Sequence, residues 1–64
     1  MPFIEVSWLA GRTLEQKAEL VRRFTDAIVE VGPCRREDVE VLFHDVEHGD
    51  WWQNEQAVGR APVD

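Results

Sequence analysis

The sequence predicts an α+β chain in which one crossover helix joins two parallel β-strands. Apolar and polar residues alternate over residues 2–9 and again over residues 39–46, as they do in half-buried strands. Between them, over residues 14–31, apolar residues recur at steps of three and four, the period of a helix that packs on one face. Strand, helix and strand in this order form a right-handed parallel crossover. We therefore expect residues 1–64 to form a single domain.

The boundaries of the first strand and the helix follow from local signals. The first strand is predicted over residues 2–9, and its inward face carries Ile4, Val6 and Trp8. The helix is predicted to begin after Thr13, because Thr13 and Gln16 have the spacing of a capping box. The apolar stripe of the helix consists of Leu14, Ala18, Val21, Phe24, Ile28 and Val31. Gly32-Pro33 is expected to end it, since glycine suits a left-handed cap and proline cannot continue the ladder.

The second strand is predicted over residues 39–46 and has apolar side chains on both faces. One face carries Val39, Val41 and Phe43, and the other carries Glu40, Leu42, His44 and Val46. Two strands and one helix cannot enclose a core, and a monomer of this size buries only about 60% of the surface that its unfolded chain exposes. We therefore expect self-assembly to cover the second face of the strands.

The composition excludes several functional classes. Thirteen acidic residues against seven basic ones give a net charge of -6, which argues against a nucleic-acid partner. No apolar run is long enough to span a bilayer, and a soluble cytoplasmic protein is expected. Cys34 has no zinc-ligand spacing to another residue, and Gly49-Asp50 makes a helix face shared by His44 and His48 improbable. No metal and no cofactor are predicted.

The amino terminus is the remaining candidate for chemistry, because phosphate loops and nucleophile motifs are missing from the sequence. Removal of Met1 would leave Pro2 with a free secondary amine at the start of a strand. A terminal amine has an ordinary pKa of about 7.7 to 8.0, and apolar surroundings or a nearby arginine would lower it toward neutrality. Such an amine can serve as a general base. The alternative is that Pro2 only opens the strand, where its missing amide is harmless.

Several features of residues 2–52 occur together in one known family. The chain has a strand that begins with Pro2, Gly11-Arg12-Thr13 followed by Glu15-Gln16-Lys17, a helix ending near Gly32, and a second strand followed by tryptophan. With these features, residues 2–52 resemble the 4-oxalocrotonate tautomerase family. The resemblance implies the tautomerase fold, with β-α-β protomers paired into a four-stranded sheet with two helices, and three such dimers in a hexamer. The expected substrate is a small enol or keto acid.

The resemblance also implies roles for individual residues. Pro2 matches the general base of the family, which moves a proton between oxygen and carbon. Arg12 matches the arginine that binds a substrate carboxylate and helps to polarise the reacting end. Trp51 matches the aromatic residue that walls the pocket, although a shift of one position would select Trp52 instead. A neutral amine, a guanidinium and an aromatic wall together form a coherent site for enol acids.

Two departures from the family pattern bear on the substrate. Glu40 stands where the family has a second substrate-binding arginine, so the usual dicarboxylate is expected to bind poorly. Compensation by Arg35 or Arg36, a substrate with one carboxylate or none, and a role for Glu40 in orienting water or a cation are all open, as is a merely solvated Glu40. The glycine-rich hairpin of the family is replaced by residues 53–56, where Glu55 is a candidate for activating water.

We therefore expect a tautomerase-like isomerase that uses Pro2, provided that Met1 is removed. Alternatives are a proline-dependent hydratase, decarboxylase or cyclising enzyme on the same scaffold. A non-catalytic subunit of a hetero-oligomer is the alternative outside catalysis, and retention of Met1 would favour it. A homohexamer or a hetero-oligomer is expected in either case, with neither nucleic acid nor membrane as a partner.

Overall fold

A computed structural model describes residues 1–59 of the chain. Two parallel strands are joined by one helix, and a small antiparallel hairpin follows the second strand. The elements in chain order are β1 (Phe3–Leu9), α1 (Leu14–Val31), β2 (Glu40–Val46), β3 (Trp52–Gln53) and β4 (Gln56–Ala57). Single 3-10 turns at Arg36–Asp38 and His48–Asp50 lead into and out of β2. The predicted β-α-β architecture is thus confirmed.

β1 and β2 pair in parallel over their full lengths, from Phe3 opposite Glu40 to Leu9 opposite Val46. The ladder extends by one hydrogen bond at each end. At the amino end Glu40 N donates to the Pro2 carbonyl at 3.0 Å, and at the carboxyl end Ala10 N donates to the Val46 carbonyl at 2.9 Å. Residues that flank the strands are therefore held at two opposite edges of the same sheet.

The predicted helix cap is present. The Thr13 hydroxyl accepts from Gln16 N at 3.1 Å, and the Gln16 side chain accepts from Thr13 N at 2.9 Å, which completes the capping box. At the other end Gly32 N donates to the Ile28 carbonyl at 2.8 Å. Gly32 has a φ of −101°, so the prediction of a left-handed cap is wrong, although the helix does end there.

The predicted apolar stripe of α1 is only partly turned toward the sheet. Leu14 and Val31 are 83% and 81% exposed, because they lie at the two ends of the helix. Ala18, another member of the predicted stripe, is exposed as well. Leu20 and Val29, which the stripe omitted, are half-buried instead.

One protomer leaves much of its apolar surface open. Within residues 1–59 no hydrophobic side chain is buried, and Thr25 is the only buried residue. Phe3 and Leu42 are exposed on the sheet face away from the helix. These exposures agree with the expectation of self-assembly, which stays a prediction. As for bilayers, none of the helical segments in this described part has the length and apolarity needed to cross one.

The segment after β2 forms a hairpin that the sequence analysis did not predict. β3 and β4 pair antiparallel across a two-residue turn, in which Asn54 and Glu55 have φ values of 51° and 64°. Positive φ at both central positions is typical of a type I′ turn, the turn that matches the twist of paired strands. Asparagine tolerates this region, whereas glutamate is strained in it. The chain thus makes the tight turn without the glycines of the family pattern.

Candidate active site

The structure places the predicted site residues at two opposite ends of the β1–β2 sheet. Pro2 and Glu40 lie together at the amino end, where they share a backbone hydrogen bond. Arg12 follows the carboxyl end of β1, and Trp51 follows the carboxyl end of β2. Seven strand residues separate the two ends by about 20 Å. Pro2 and Arg12 of one protomer therefore cannot contact the same small substrate.

Arg12 is fixed in position although it is exposed. Its Nη1 donates to the Leu9 carbonyl at 2.7 Å, and its Cζ lies 4.5 Å from the centroid of the Trp8 ring. Arg12 forms no salt bridge with any carboxylate in residues 1–59. The other described arginines all form such pairs, namely Arg22, Arg23, Arg35 and Arg36. Among these five guanidiniums, Arg12 is the one left available to an external anion.

Trp8 is the centre of a side-chain cluster at the carboxyl end of the sheet. Its indole Nε1 donates to Asp45 Oδ1 at 2.7 Å, and its ring stacks on Phe43 with centroids 5.0 Å apart at 13°. Lys17, from the first turns of the helix, forms a salt bridge with Asp45 Oδ2. The Lys17 ammonium also lies 5.8 Å from the Phe43 ring centroid. Both oxygens of Asp45 are therefore occupied.

Asp45 is ionised at neutral pH. Hydrogen bonds from Lys17 and from the Trp8 indole lower its pKa below the usual value, and the charge of Arg12 contributes a smaller effect in the same direction. An ionised carboxylate so near Arg12 could capture its guanidinium. It forms no hydrogen bond or salt bridge with Arg12, and its oxygens bind Lys17 and Trp8 instead.

A cavity of about 640 Å³ opens beside Arg12, between the end of β1 and the outer side of α1. Trp8 and Leu20 give it apolar walls, Arg12 and Arg23 bring positive charge to it, and Glu15 and Glu19 bring negative charge. It is an open groove in the single protomer. The remaining lining residues are Thr13 and Gln16. A ligand anion can reach Arg12 through this groove.

The two tryptophans after β2 differ in their environments. Trp51 is half-buried, and its carbonyl accepts from Val58 N at 2.7 Å. Trp52 is 60% exposed, and its Nε1 donates to the Gly49 carbonyl at 2.6 Å. Neither lines the groove beside Arg12, where Trp8 supplies the aromatic wall. Within one protomer, Trp51 therefore does not form the aromatic wall beside Arg12.

The surroundings of Glu40 bear on whether a neighbouring arginine replaces the cation that the family pattern has at this position. Glu40 is exposed at the amino end of β2 and forms no salt bridge within residues 1–59. Arg35 pairs with Glu37 and Asp38, and Arg36 pairs with Asp26. The two arginines considered as substitutes for the missing cation are therefore engaged elsewhere in the same chain.

Sequence reasoning missed the residues that hold Arg12. Trp8 was predicted as an inward strand residue, and Asp45 and Lys17 were given no role. The signal was nevertheless present, because parallel pairing of the two predicted strands places Trp8 directly opposite Asp45. The described part of the chain contains no group of three His, Cys, Asp or Glu side chains arranged to hold a metal ion.

Comparison with known proteins identifies the family. The tautomerase family model, described as "Tautomerase enzyme", matches residues 2–60. A probable tautomerase from Streptococcus agalactiae is 31% identical over 52 residues, which cover 81% of this chain and 87% of the relative. A probable tautomerase from Streptococcus pneumoniae is 35% identical over 52 residues, with the same coverage.

Solved structures support the same family assignment. A 4-oxalocrotonate tautomerase isozyme from Methylibium petroleiphilum matches with a TM-score of 0.79 at 32% identity, covering 88% of this chain and 90% of the other. A second 4-oxalocrotonate tautomerase homologue matches with a TM-score of 0.83 at 32% identity, covering 89% and 90%. A heterohexamer 4-oxalocrotonate tautomerase from Chloroflexus aurantiacus matches with a TM-score of 0.80 at 26% identity, covering 89% and 92%. This chain, with its parallel β-α-β fold, therefore belongs to the tautomerase family.

Proposed function

We propose that this chain is an isomerase that interconverts the keto and enol forms of a small carboxylic acid, with Pro2 as the general base. Once Met1 is removed, the secondary amine of Pro2 takes a proton from the enol hydroxyl and a proton is delivered to carbon, so the substrate is rearranged without net gain or loss of atoms. Arg12 binds the carboxylate and stabilises negative charge that develops on the substrate.

The free guanidinium of Arg12 is the observation that carries this proposal. Arg12 has a fixed orientation and lies at an open groove, yet it forms no salt bridge with a described carboxylate. A guanidinium presents paired donors that fit a carboxylate, and an unpaired one is well suited to bind an anionic ligand.

The separation of Pro2 from Arg12 supports a site shared between protomers. The two residues lie at opposite ends of a sheet about 20 Å long, so one enol acid cannot contact both within one chain. Antiparallel association of two protomers brings the amino end of one sheet to the carboxyl end of the other. Pro2 of one protomer would then face Arg12 of a second copy, in a homohexamer or in another closed oligomer.

Glu40 supports a monocarboxylate as the substrate. It lies beside Pro2, where the family pattern has a second arginine, and no described cation neutralises it. A second substrate carboxylate near Glu40 would meet like charge, which can cost several kcal/mol. The enol of phenylpyruvate has one carboxylate and is therefore a suitable probe.

The experiment is ketonisation of the phenylpyruvate enol by the native protein and by Pro2→Ala. We expect Pro2→Ala to lower the rate by about 100-fold, the scale of a lost general base. Arg35→Ala, which removes a charge from an exposed turn, is the control and should react at the wild-type rate. A Pro2→Ala rate within a few-fold of wild type would exclude the amine as the base.

A non-catalytic role in a hetero-oligomer is the second candidate. The structural likeness to a heterohexamer 4-oxalocrotonate tautomerase favours it, as does the acidic residue at position 40. Mass spectrometry of the native protein separates the two proposals. Loss of Met1 supports the enzyme, whereas retained Met1 makes the Pro2 nitrogen an amide that cannot act as a base.

A further inference from the structure

We propose that Trp8 is a positioning residue for Arg12, whose guanidinium it holds in the orientation that receives the substrate carboxylate. The inference rests on the proposed function, because it takes Arg12 as the carboxylate-binding group. Trp8 itself does not contact the carboxylate in this account. It determines how much conformational freedom Arg12 must lose when the substrate binds.

Two contacts define the orientation of Arg12. The guanidinium carbon lies 4.5 Å from the Trp8 ring centroid, a distance at which a cation is attracted to the face of an indole. Nη1 donates to the Leu9 carbonyl at 2.7 Å. A guanidinium has five N–H donors, so most of them stay available to a ligand after this single bond. Without the indole, the long exposed side chain would be held by the Leu9 carbonyl alone.

The orientation of the indole is itself set by a hydrogen bond. Its N–H donates to Asp45 Oδ1 at 2.7 Å, and this bond restricts rotation of the ring about the side-chain torsions of Trp8. Lys17 binds the second oxygen of Asp45, and the carboxylate that anchors Trp8 forms no salt bridge with Arg12. Phe43 stacks on the same ring at 5.0 Å. Asp45 and Lys17 thus fix the Trp8 indole and leave Arg12 without a salt bridge.

The test compares two probes that differ only in the carboxylate, the enol of phenylpyruvate and the enol of its methyl ester. Trp8→Leu removes the ring and the Asp45 anchor, whereas Trp8→Phe keeps a ring face but loses the anchor. Phe43→Leu is the matched control, because it removes a large stacked ring from the same cluster and leaves the Trp8–Asp45 bond in place. Thermal unfolding of each variant reports its loss of stability.

For Trp8→Leu we expect KM for the acid to rise about tenfold, with the KM for the ester within about twofold of wild type. Trp8→Phe should raise the acid KM by about threefold, because part of the ring face is retained. Phe43→Leu should lower stability but leave both KM values within about twofold. A structural role alone would change the two probes equally.

The inference is overturned if Trp8→Leu changes the acid and ester KM values equally, or if Phe43→Leu reproduces its effect. Should Trp8→Leu fail to fold, Trp8→Phe decides by the same comparison. Arg12→Ala separates this inference from the proposed function. An unchanged acid KM in Arg12→Ala contradicts the proposed role of Arg12. A raised acid KM in Arg12→Ala, with no effect in the Trp8 variants, contradicts only the positioning role of Trp8.

Discussion

The two ends of the β1–β2 sheet are organised differently. At the carboxyl end, strand and helix side chains form a connected set in which Trp8, Asp45 and Lys17 surround an available Arg12. At the amino end, Pro2 and Glu40 are joined by one backbone hydrogen bond, and within the described residues the Glu40 side chain forms neither a hydrogen bond nor a salt bridge. One protomer thus preorganises the anion-binding half of the proposed site, and supplies the base at its opposite end.

This difference explains why one chain can carry the proposed residues and yet hold no complete site. A carboxylate-binding group gains from being fixed before the ligand arrives, because less freedom is lost on binding. A base at a chain terminus needs surroundings that lower its pKa, and in one protomer Pro2 is only half-buried. A second protomer could supply those surroundings through its apolar surface and its Arg12.

Among the tests of this difference between the two ends of the sheet, Glu40→Arg at the amino end should have the largest effect. The substitution replaces an anion with a cation beside Pro2, so a dicarboxylate enol should gain at least about tenfold in kcat/KM, which is about 1.4 kcal/mol. The monocarboxylate enol should change much less. Steady-state kinetics on both substrates give the measurement.

Glu30→Arg is the matched control for Glu40→Arg, because it changes the net charge equally on an exposed helix position. The control should leave both substrates unaffected. An unchanged dicarboxylate rate in Glu40→Arg would mean that Glu40 does not face the pocket and that the family alignment in β2 is wrong.

A smaller effect is expected at the hairpin that follows the carboxyl end. Glu55 has a φ of 64°, which strains a residue with a Cβ, so Glu55→Gly should stabilise the protein by about 1 kcal/mol. Denaturant unfolding at fixed protomer concentration measures this. Glu55→Ala keeps the strain and should bring no such gain. A loss of activity in both variants would instead assign the Glu55 carboxylate a role in the reaction.

The smallest effect is expected from the ion pairs of Glu19 on the helix surface. Hydrogen bonds from Arg22 and Arg23 lower the pKa of Glu19 from 4.5 to about 2. A carboxylate with a lowered folded-state pKa contributes stability above the unfolded value and loses it as the pH falls through the folded one. The contribution of Glu19 is therefore complete above about pH 4.5 and disappears toward pH 2.

Thermal midpoints of wild type and Glu19→Gln across this pH range provide the check. The difference between them should be small, since exposed ion pairs contribute little, and it should shrink as the pH falls. A difference that grows on acidification would contradict the sign of the pKa shift.

Much of the fold follows from local sequence signals. Alternation and the helical period depend only on neighbouring residues, and the Thr13–Gln16 capping box satisfies amides within one turn. These elements were predicted correctly. The hairpin was missed because Asn54-Glu55 lacks the glycine that usually marks a type I′ turn. Leu14 and Val31 belong to the periodic stripe but are exposed, because periodicity does not show which residues of a stripe are covered by the rest of the fold.

The candidate site was predictable as a set of residues but not as an arrangement. Pro2 and Arg12 came from a motif, which carries no information about the distance between them in one protomer. The Trp8–Asp45 hydrogen bond depends on strand register, which joins residues 37 positions apart. Such contacts become visible only when the pairing of β1 with β2 is known.

Subunit mixing tests the central claim, that Pro2 and Arg12 act together across two protomers. Pro2→Ala and Arg12→Ala proteins are unfolded together in equal amounts and refolded, and ketonisation of the phenylpyruvate enol is compared with that of each variant refolded alone. Random assembly gives an intact Pro2 opposite an intact Arg12 in about a quarter of the sites, so about a quarter of the wild-type activity should return. Activity that stays at the average of the two separately refolded variants would contradict a site shared between protomers.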